Sequence, residues 1–308
     1  MSAPRGTSRW GLRSIALLYL AALLIVPVAM IFYRTFQHGL SQPVDAITSA
    51  DGLHAFWLTI VCVGIAVPLN TVFGIVTALV LVRQDFRGKA LLNAAIDIPF
   101  AISPVVIGLA LFLVYAPRNS WFGGWLMNQG VQVIFSVPGM VLATIFVSLP
   151  FVVREVMPVL QEIGTDQEEA AETLGASPWQ TFWKVTLPAI RWGVTYGVVL
   201  ATARALGEFG AVSVVAGNIS GKTQTLPLFV RTQFDQINLA GAYAAAIVLA
   251  ILAMTVLFTM SYLQKRSAKD AGEDGDEPLT GPGVFVPQLV ETGGASSAAA
   301  ASPRTKEA

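Results

Sequence analysis

Cysteine and histidine are almost missing from this chain: one cysteine, Cys62, and two histidines, His38 and His54, in 308 residues. A single cysteine rules out an internal disulfide framework and leaves a thiolate metal site without a second ligand. Cys62 sits inside an apolar run and reads as buried bulk. The two histidines fall outside the apolar runs and have no ligand partner in sequence, so surface residence is expected for both. With neither H-E-x-x-H nor G-x-S-x-G present, an intramembrane hydrolase has no motif to rest on. Charge is scarce too, at 12% of residues against a usual share of about 25%. The formal net charge of zero points away from nucleic acid, whose partners carry a basic patch or stripe.

What the chain has instead is apolar length: 54% hydrophobic residues and a mean hydropathy of +0.64. Crossing a bilayer as a helix takes about 20 apolar residues, because every backbone N–H and C=O must be satisfied within the segment. Six runs reach that length, at roughly 14–34, 56–82, 91–115, 133–153, 189–216 and 240–263, the fifth interrupted by Gly207, Glu208 and Gly210. Arg5, Arg9 and Arg13 precede the first run, which exceeds a signal-peptide core and is followed by no small-residue cleavage site, so it is expected to remain as the first span. The fold class is all-α integral membrane with six helices.

Orientation follows from lysine and arginine, which are retained on the cytoplasmic side. With the N-terminus inside, the inner segments close to the spans hold twelve of them (Arg5, Arg9, Arg13, Arg83, Arg87, Lys89, Arg154, Lys184, Arg191, Lys265, Arg266 and Lys269), and the outer segments four, Arg34, Arg118, Lys222 and Arg231. An N-in, C-in topology follows. It also disposes of the stretch VSVVAGNISGKTQT, residues 212–225, whose Gly221-Lys222-Thr223 suggests a phosphate-binding loop. G-x-x-x-x-G-K-[ST] needs its first glycine at 216, which is Ala216, with Gly217 one residue too close, and the loop lies on the outer face, where ATP is absent. After it, the short apolar piece Leu226 to Val230 is expected to dip back into the protein.

One inner connection is unusually long: 154–188, REVMPVLQEIGTDQEEAAETLGASPWQTFWKVTLP. Thr165 with Glu168 reads as a capping box, and Asp166, Glu168 and Glu169 place negative charge at a helix N-terminus. That helix stops at Gly175. Ser177, Pro178 and Gln180 then start a second, whose Trp179, Phe182, Trp183 and Leu187 recur at helical spacing and are expected along the membrane surface.

The residue order in this connection, Glu169-Ala170-Ala171, three residues, Gly175, nine residues, Val185, one residue, Leu187-Pro188, resembles the EAA loop of ABC-importer membrane subunits, E-A-A-x3-G-x9-I-x-L-P, with Val185 in place of isoleucine. The resemblance covers nearly all of 14–263. LLNAAIDIPFAISPVVIGLALFLVY, VPGMVLATIFVSLPFVVREVMPVLQE and ARALGEFGAVSVVAGNISGKTQTLPLFV, with the WFGGWL preceding the fourth run, are similar to the W-type membrane subunit of sulfate/thiosulfate ABC importers; the RALGEFGA piece also resembles molybdate and tungstate permeases, which stay open as the alternative. A six-helix type I importer transmembrane domain is implied, with residues 1–13 a basic cytoplasmic N-terminus, 14–266 the transmembrane domain and 267–308 a disordered cytoplasmic tail without counterpart in the family. The family implies that Glu169, Ala170, Ala171, Leu174, Gly175, Val185, Leu187 and Pro188 couple to an ATPase. It also implies the partners: two copies of a sulfate-type ABC ATPase carrying ATP and magnesium, a T-type membrane subunit, and an extracytoplasmic sulfate/thiosulfate-binding protein, in the cytoplasmic (inner) membrane of a bacterium. This chain itself would hold no cofactor and perform no catalysis.

Charges inside a membrane are costly, so Asp97, Arg204 and Glu208 need an account. Arg204 and Glu208, four apart on one helix face, form either a neutralised pair or a transient positive site for a passing anion. Asp97 is expected to cap or pair near the inner interface, with Pro99 and Ser103-Pro104 kinking the helix into a hinge or gate. Ser103 bonds either an anion or its own backbone, and Gly207 and Gly210 permit close packing or an unwound segment.

Overall fold

Apolar length sets where the helices of this protein lie; prolines and a few polar residues set how they end. The computed structural model describes residues 6–37, 39–117, 120 and 122–272, and every regular element among them is helical. In chain order these are α1 (Gly6–Phe36), α2 (Ser41–Thr48), α3 (Ala50–Arg83), α4 (Lys89–Ala101), α5 (Pro104–Tyr115), α6 (Gly123–Asn128), α7 (Val137–Ile163), α8 (Asp166–Thr173), α9 (Pro178–Thr181), a π-helical turn (Phe182–Thr186), α10 (Leu187–Leu206), α11 (Gly210–Ala216), α12 (Leu226–Asp235) and α13 (Leu239–Gly272). The chain divides into two compact units, Met1–Gln264 and Lys265–Ala308, and the apolar spans with their connections belong to the first. His38 and most of the expected tail lie outside the described residues, but up to Gly272 the tail region is helical rather than irregular.

Among the described residues, four helical segments are long and apolar enough to cross a membrane, Arg13–Phe36, Ala50–Arg83, Val137–Ile163 and Leu239–Thr259, and two bent pairs bring the number to six when each pair is one span. The third expected span is one of these pairs. Instead of a kinked helix over 91–115, α4 and α5 meet at 114°. Ser103, forced to an extended ψ of 136° by the proline after it, breaks the helix, and Pro104 starts the next one at its first position. The fifth span differs as well. The expected boundary at Pro188 is absent, because α9, the π turn and α10 form one run from Pro178 to Leu206. Leu187 N–H reaches back five residues to Phe182 O, and this wider turn accommodates the proline ring that would strike the preceding turn of a regular α-helix. A 54° bend then leads into α11.

The α7 helix also outruns expectation by ten residues, since Val152, Val156 and Leu160 continue a buried stripe past the charges at Arg154 and Glu155. At the centre, α3, α7 and α10 pack around Val152. A Cβ at Gly74 would lie 2.6 Å from Val152 Cγ1, and one at Gly197 would lie 2.8 Å from Val152 Cα, so both glycines are required for the approach of the helices. A polar clasp runs between the same helices: the fully buried Asn70 donates through Nδ2 to Ser148 Oγ at 2.7 Å and Ile145 O at 3.1 Å. On the outer side, α12 buries Leu226 and Phe229 against Ala55 and Ala245, fulfilling the expected return of that piece into the protein.

Candidate functional site

The segment between α7 and α10 forms a small projecting structure. The α8 helix has no buried residue and is bounded by two glycines in left-handed backbone, Gly164 (φ 62°) and Gly175 (φ 85°). After the bend Ser177 makes both halves of its expected capping box, accepting from Gln180 N–H while its own N–H donates to Gln180 Oε1. The box expected at Thr165 does not form. Thr165 donates instead to Glu169 Oε1 at 2.7 Å, and Glu168 is taken by a longer-range partner: its Oε2 pairs with Arg83 Nε at 2.9 Å, and its Oε1 accepts from Thr186 Oγ1 at 2.8 Å.

Five of the eight residues assigned to the EAA loop come together here. Ala170, Ala171 and Leu174 form one wall, and Val185 and Pro188 with Lys184 the other, of a groove of about 520 Å3. Leu174 is 88% exposed, a large apolar side chain that water disfavours and a docked partner would cover. Gly175 supplies the bend that brings the walls together. Leu187 packs into the core beside Ile190 instead, and Glu169 is exposed and turned to Thr165, outside the groove. Next to this structure, Trp179 and Trp183 stack edge to face with ring centroids 5.5 Å apart and are 69% and 50% exposed, as suits indoles at a membrane interface. Because their helix is continuous with α10, the expected separate surface helix is the inner end of the fifth span itself.

The intramembrane candidates separate into two groups. Arg204 Nη1 meets Glu208 Oε2 at 2.7 Å, and Glu208 Oε1 accepts the Ala211 N–H at 2.8 Å, so the 3% exposed carboxylate both neutralises the arginine and caps α11. Gly207 lies in the unwound break, with nothing closer than 3.8 Å to a Cβ there, while Gly210 is the packing glycine, its Cβ position 2.9 Å from Pro104 Cβ. The two bends therefore nest against each other. Ser103 is exposed and makes no side-chain capping bond in that nest. Asp97 stands apart, gripped by Arg154, whose Nε donates to Oδ1 at 2.9 Å and whose Nη2 bonds Oδ2. An Asp97→Ala variant is expected to melt at lower temperature in detergent, and the double variant Asp97→Ala/Arg154→Met to recover most of the loss, since the half-buried arginine left without its partner is the costly species.

Sequence reading missed Arg83, Thr186 and Arg154 as site residues. Both arginines counted only toward topology, and their partners are 85 and 57 residues distant. A positive residue at the inner end of an apolar run, facing unexplained acids elsewhere, was the available signal. In the outer loop Thr223 is buried and donates to Ala216 O at 2.6 Å, a structural use unlike that of a phosphate-binding threonine. His54 lies outside the expected run of 56–82 but within α3, which starts earlier, at Ala50, with Nε2 3.3 Å from Lys222 O. On the inner connection before α4, a Lys89 hydrogen bond holds the exposed Asp85 carboxyl below its ordinary pKa.

Among known proteins the chain has clear relatives. Residues 70–269 match the family described as binding-protein-dependent transport system inner membrane component. The chain is 51% identical over 254 residues, 82% of this chain and 92% of the relative, to the sulfate transport system permease protein CysW of Synechocystis. It is 38% identical over 251 residues, 82% of this chain and 90% of the relative, to the permease protein CysT of Escherichia coli K12. A structure of a bacterial alginate ABC transporter in complex with a pentasaccharide-bound periplasmic protein superposes with a TM-score of 0.71 at 18% identity, covering 85% of this chain and 96% of that one, a likeness of fold.

Proposed function

We infer, because this chain belongs to the family of binding-protein-dependent transport system inner membrane components, that it is the permease subunit of an ATP-driven sulfate importer. The observation that carries the substrate is 51% identity to a sulfate permease across 82% of this chain and 92% of that one. The protein is a multi-pass membrane protein, in this reading of a bacterial inner membrane.

The finer reading concerns coupling. The groove walled by Ala170, Ala171, Leu174, Val185 and Pro188 is the docking surface for a separate ATPase chain, two copies of which serve a pair of membrane subunits. The exposed Leu174 and the small alanines favour a close, apolar contact. The second membrane subunit is of T type, a reading supported by the 38% identity to CysT, since related chains supply matching halves of one pathway. An external binding protein delivers sulfate, and thiosulfate by the same route, to that pathway. ATP and magnesium belong to the partner; in this chain the work is mechanical. Within the path the Arg204–Glu208 pair is structural, its carboxylate already engaged by two partners.

Uptake of labelled sulfate by cells lacking and then regaining this chain tests the substrate. Loss and recovery, with competition by unlabelled thiosulfate and little by molybdate, is the expected result. Unchanged uptake on deletion, in cells without a second sulfate system, would return the molybdate or tungstate alternative.

A further inference from the structure

No residue of α8 is buried, and the helix hangs between the Gly164 and Gly175 bends. A lever mounted on two glycines would flex when pushed. The structure supplies one firm attachment, and it is ionic. Arg83, the last residue of α3, donates from Nη1 to Leu160 O at 3.1 Å and from Nη2 to Gly164 O at 2.6 Å, closing the C-terminal end of α7, where a cation opposes the negative end of the helix. Its Nε pairs with Glu168 Oε2 at 2.9 Å in the first turn of α8, and Glu168 Oε1 is held by Thr186 Oγ1 at the foot of α10. The two charged side chains are 17% and 18% exposed and Thr186 is buried.

We propose that Arg83 is a positioning residue for energy coupling: through Glu168 and Thr186 it locks α8 to the ends of α3, α7 and α10, so that displacement of α8 moves the spans rather than being absorbed at the two glycines. This rests on the docking reading given above. An arginine suits the place because a planar fork of donors serves two carbonyls and a carboxylate at once, which the single ammonium of lysine cannot do in that geometry. Thr186 is the last residue of the π turn, so α8 is joined to the fifth span where its helix is widest, two residues before Pro188.

The test uses the whole transporter, this chain with its second permease and ATPases, reconstituted in liposomes with binding protein, and reads labelled sulfate moved per ATP hydrolysed. Arg83→Ala and Glu168→Ala are expected to keep the ATPase in the purified complex while the ratio falls on the order of tenfold; Arg83→Lys should fall between, and Thr186→Val should lose least. A purely structural role lowers the yield of complex but not the ratio, because unfolded complexes neither hydrolyse nor transport. An unchanged ratio in Arg83→Ala overturns the proposal. Loss of the ATPase from that variant overturns it too, since Arg83 would then serve docking. Leu174→Asp separates the two readings: it should lose the ATPase, and retention of ATPase and uptake in that variant counts against the docking surface, whatever Arg83 does.

Discussion

Gly175→Asp is expected to abolish sulfate uptake while the chain remains in the membrane at near-normal abundance. The backbone there has φ 85°, and a Cβ would meet nothing within 4 Å, so the folded chain has room for the side chain. Aspartate tolerates left-handed backbone better than most residues, and the strain is about 1 kcal/mol. The cost falls on the docked state. Gly175 adjoins Leu174 and the groove, and a carboxylate buried there under a partner without a matching charge weakens the contact by roughly 2–5 kcal/mol. Immunoblots of membranes alongside uptake measure the two effects separately. Normal uptake at normal abundance would remove the bend from the docking surface.

Glu208→Ala strikes the fold itself. Its carboxylate, 3% exposed, neutralises Arg204 and caps α11, and its loss leaves a half-buried cation without its partner, at a cost of up to about 3–5 kcal/mol. The expected result is a steep drop in membrane abundance, with uptake falling at least in proportion. Arg204→Leu/Glu208→Gln, which deletes the charge and keeps an acceptor for the Ala211 N–H, should restore both abundance and uptake. A double variant of normal abundance that fails to transport would instead place Arg204 in the anion path.

The spans were legible because apolar length is a local property, and the Ser177 box and Gly175 bend because capping and left-handed backbone are local too. What stayed hidden depended on distant residues. Thr165 and Glu168 have the spacing of a capping box, yet Arg83 outcompetes the backbone for that carboxylate, as a charged, forked donor does for a site within reach. Arg154 ended the apolar run over 133–153, whereas α7 continues, because Asp97 satisfies the charge and Val156 and Leu160 keep the buried stripe. The two prolines announced a disturbance at 99–104, but a break of 114° rather than a kink depends on α11, which covers the bend. The fifth run was expected to begin only after Pro188, and the π turn that lets the helix run through that proline leaves no mark in residue type.

The nested bends also bear on biosynthesis. At 12 residues α5 is about 18 Å long, well short of the roughly 30 Å hydrocarbon layer; the Ser103 carbonyl is taken up by the Val106 and Ile107 N–H groups, whereas lipid offers no donor to the carbonyl of the extended Ile102. The packing partner for this half-span arrives with α11: a Cβ at Gly108 would lie 2.7 Å from Ala211 O, so the two backbones are in close contact. That partner is synthesised roughly a hundred residues later, a wait of some 5–20 s at ordinary rates of translation. Until then the emerging chain holds an unfinished span, and a nascent chain stalled before Gly210 lacks the helix against which α5 packs.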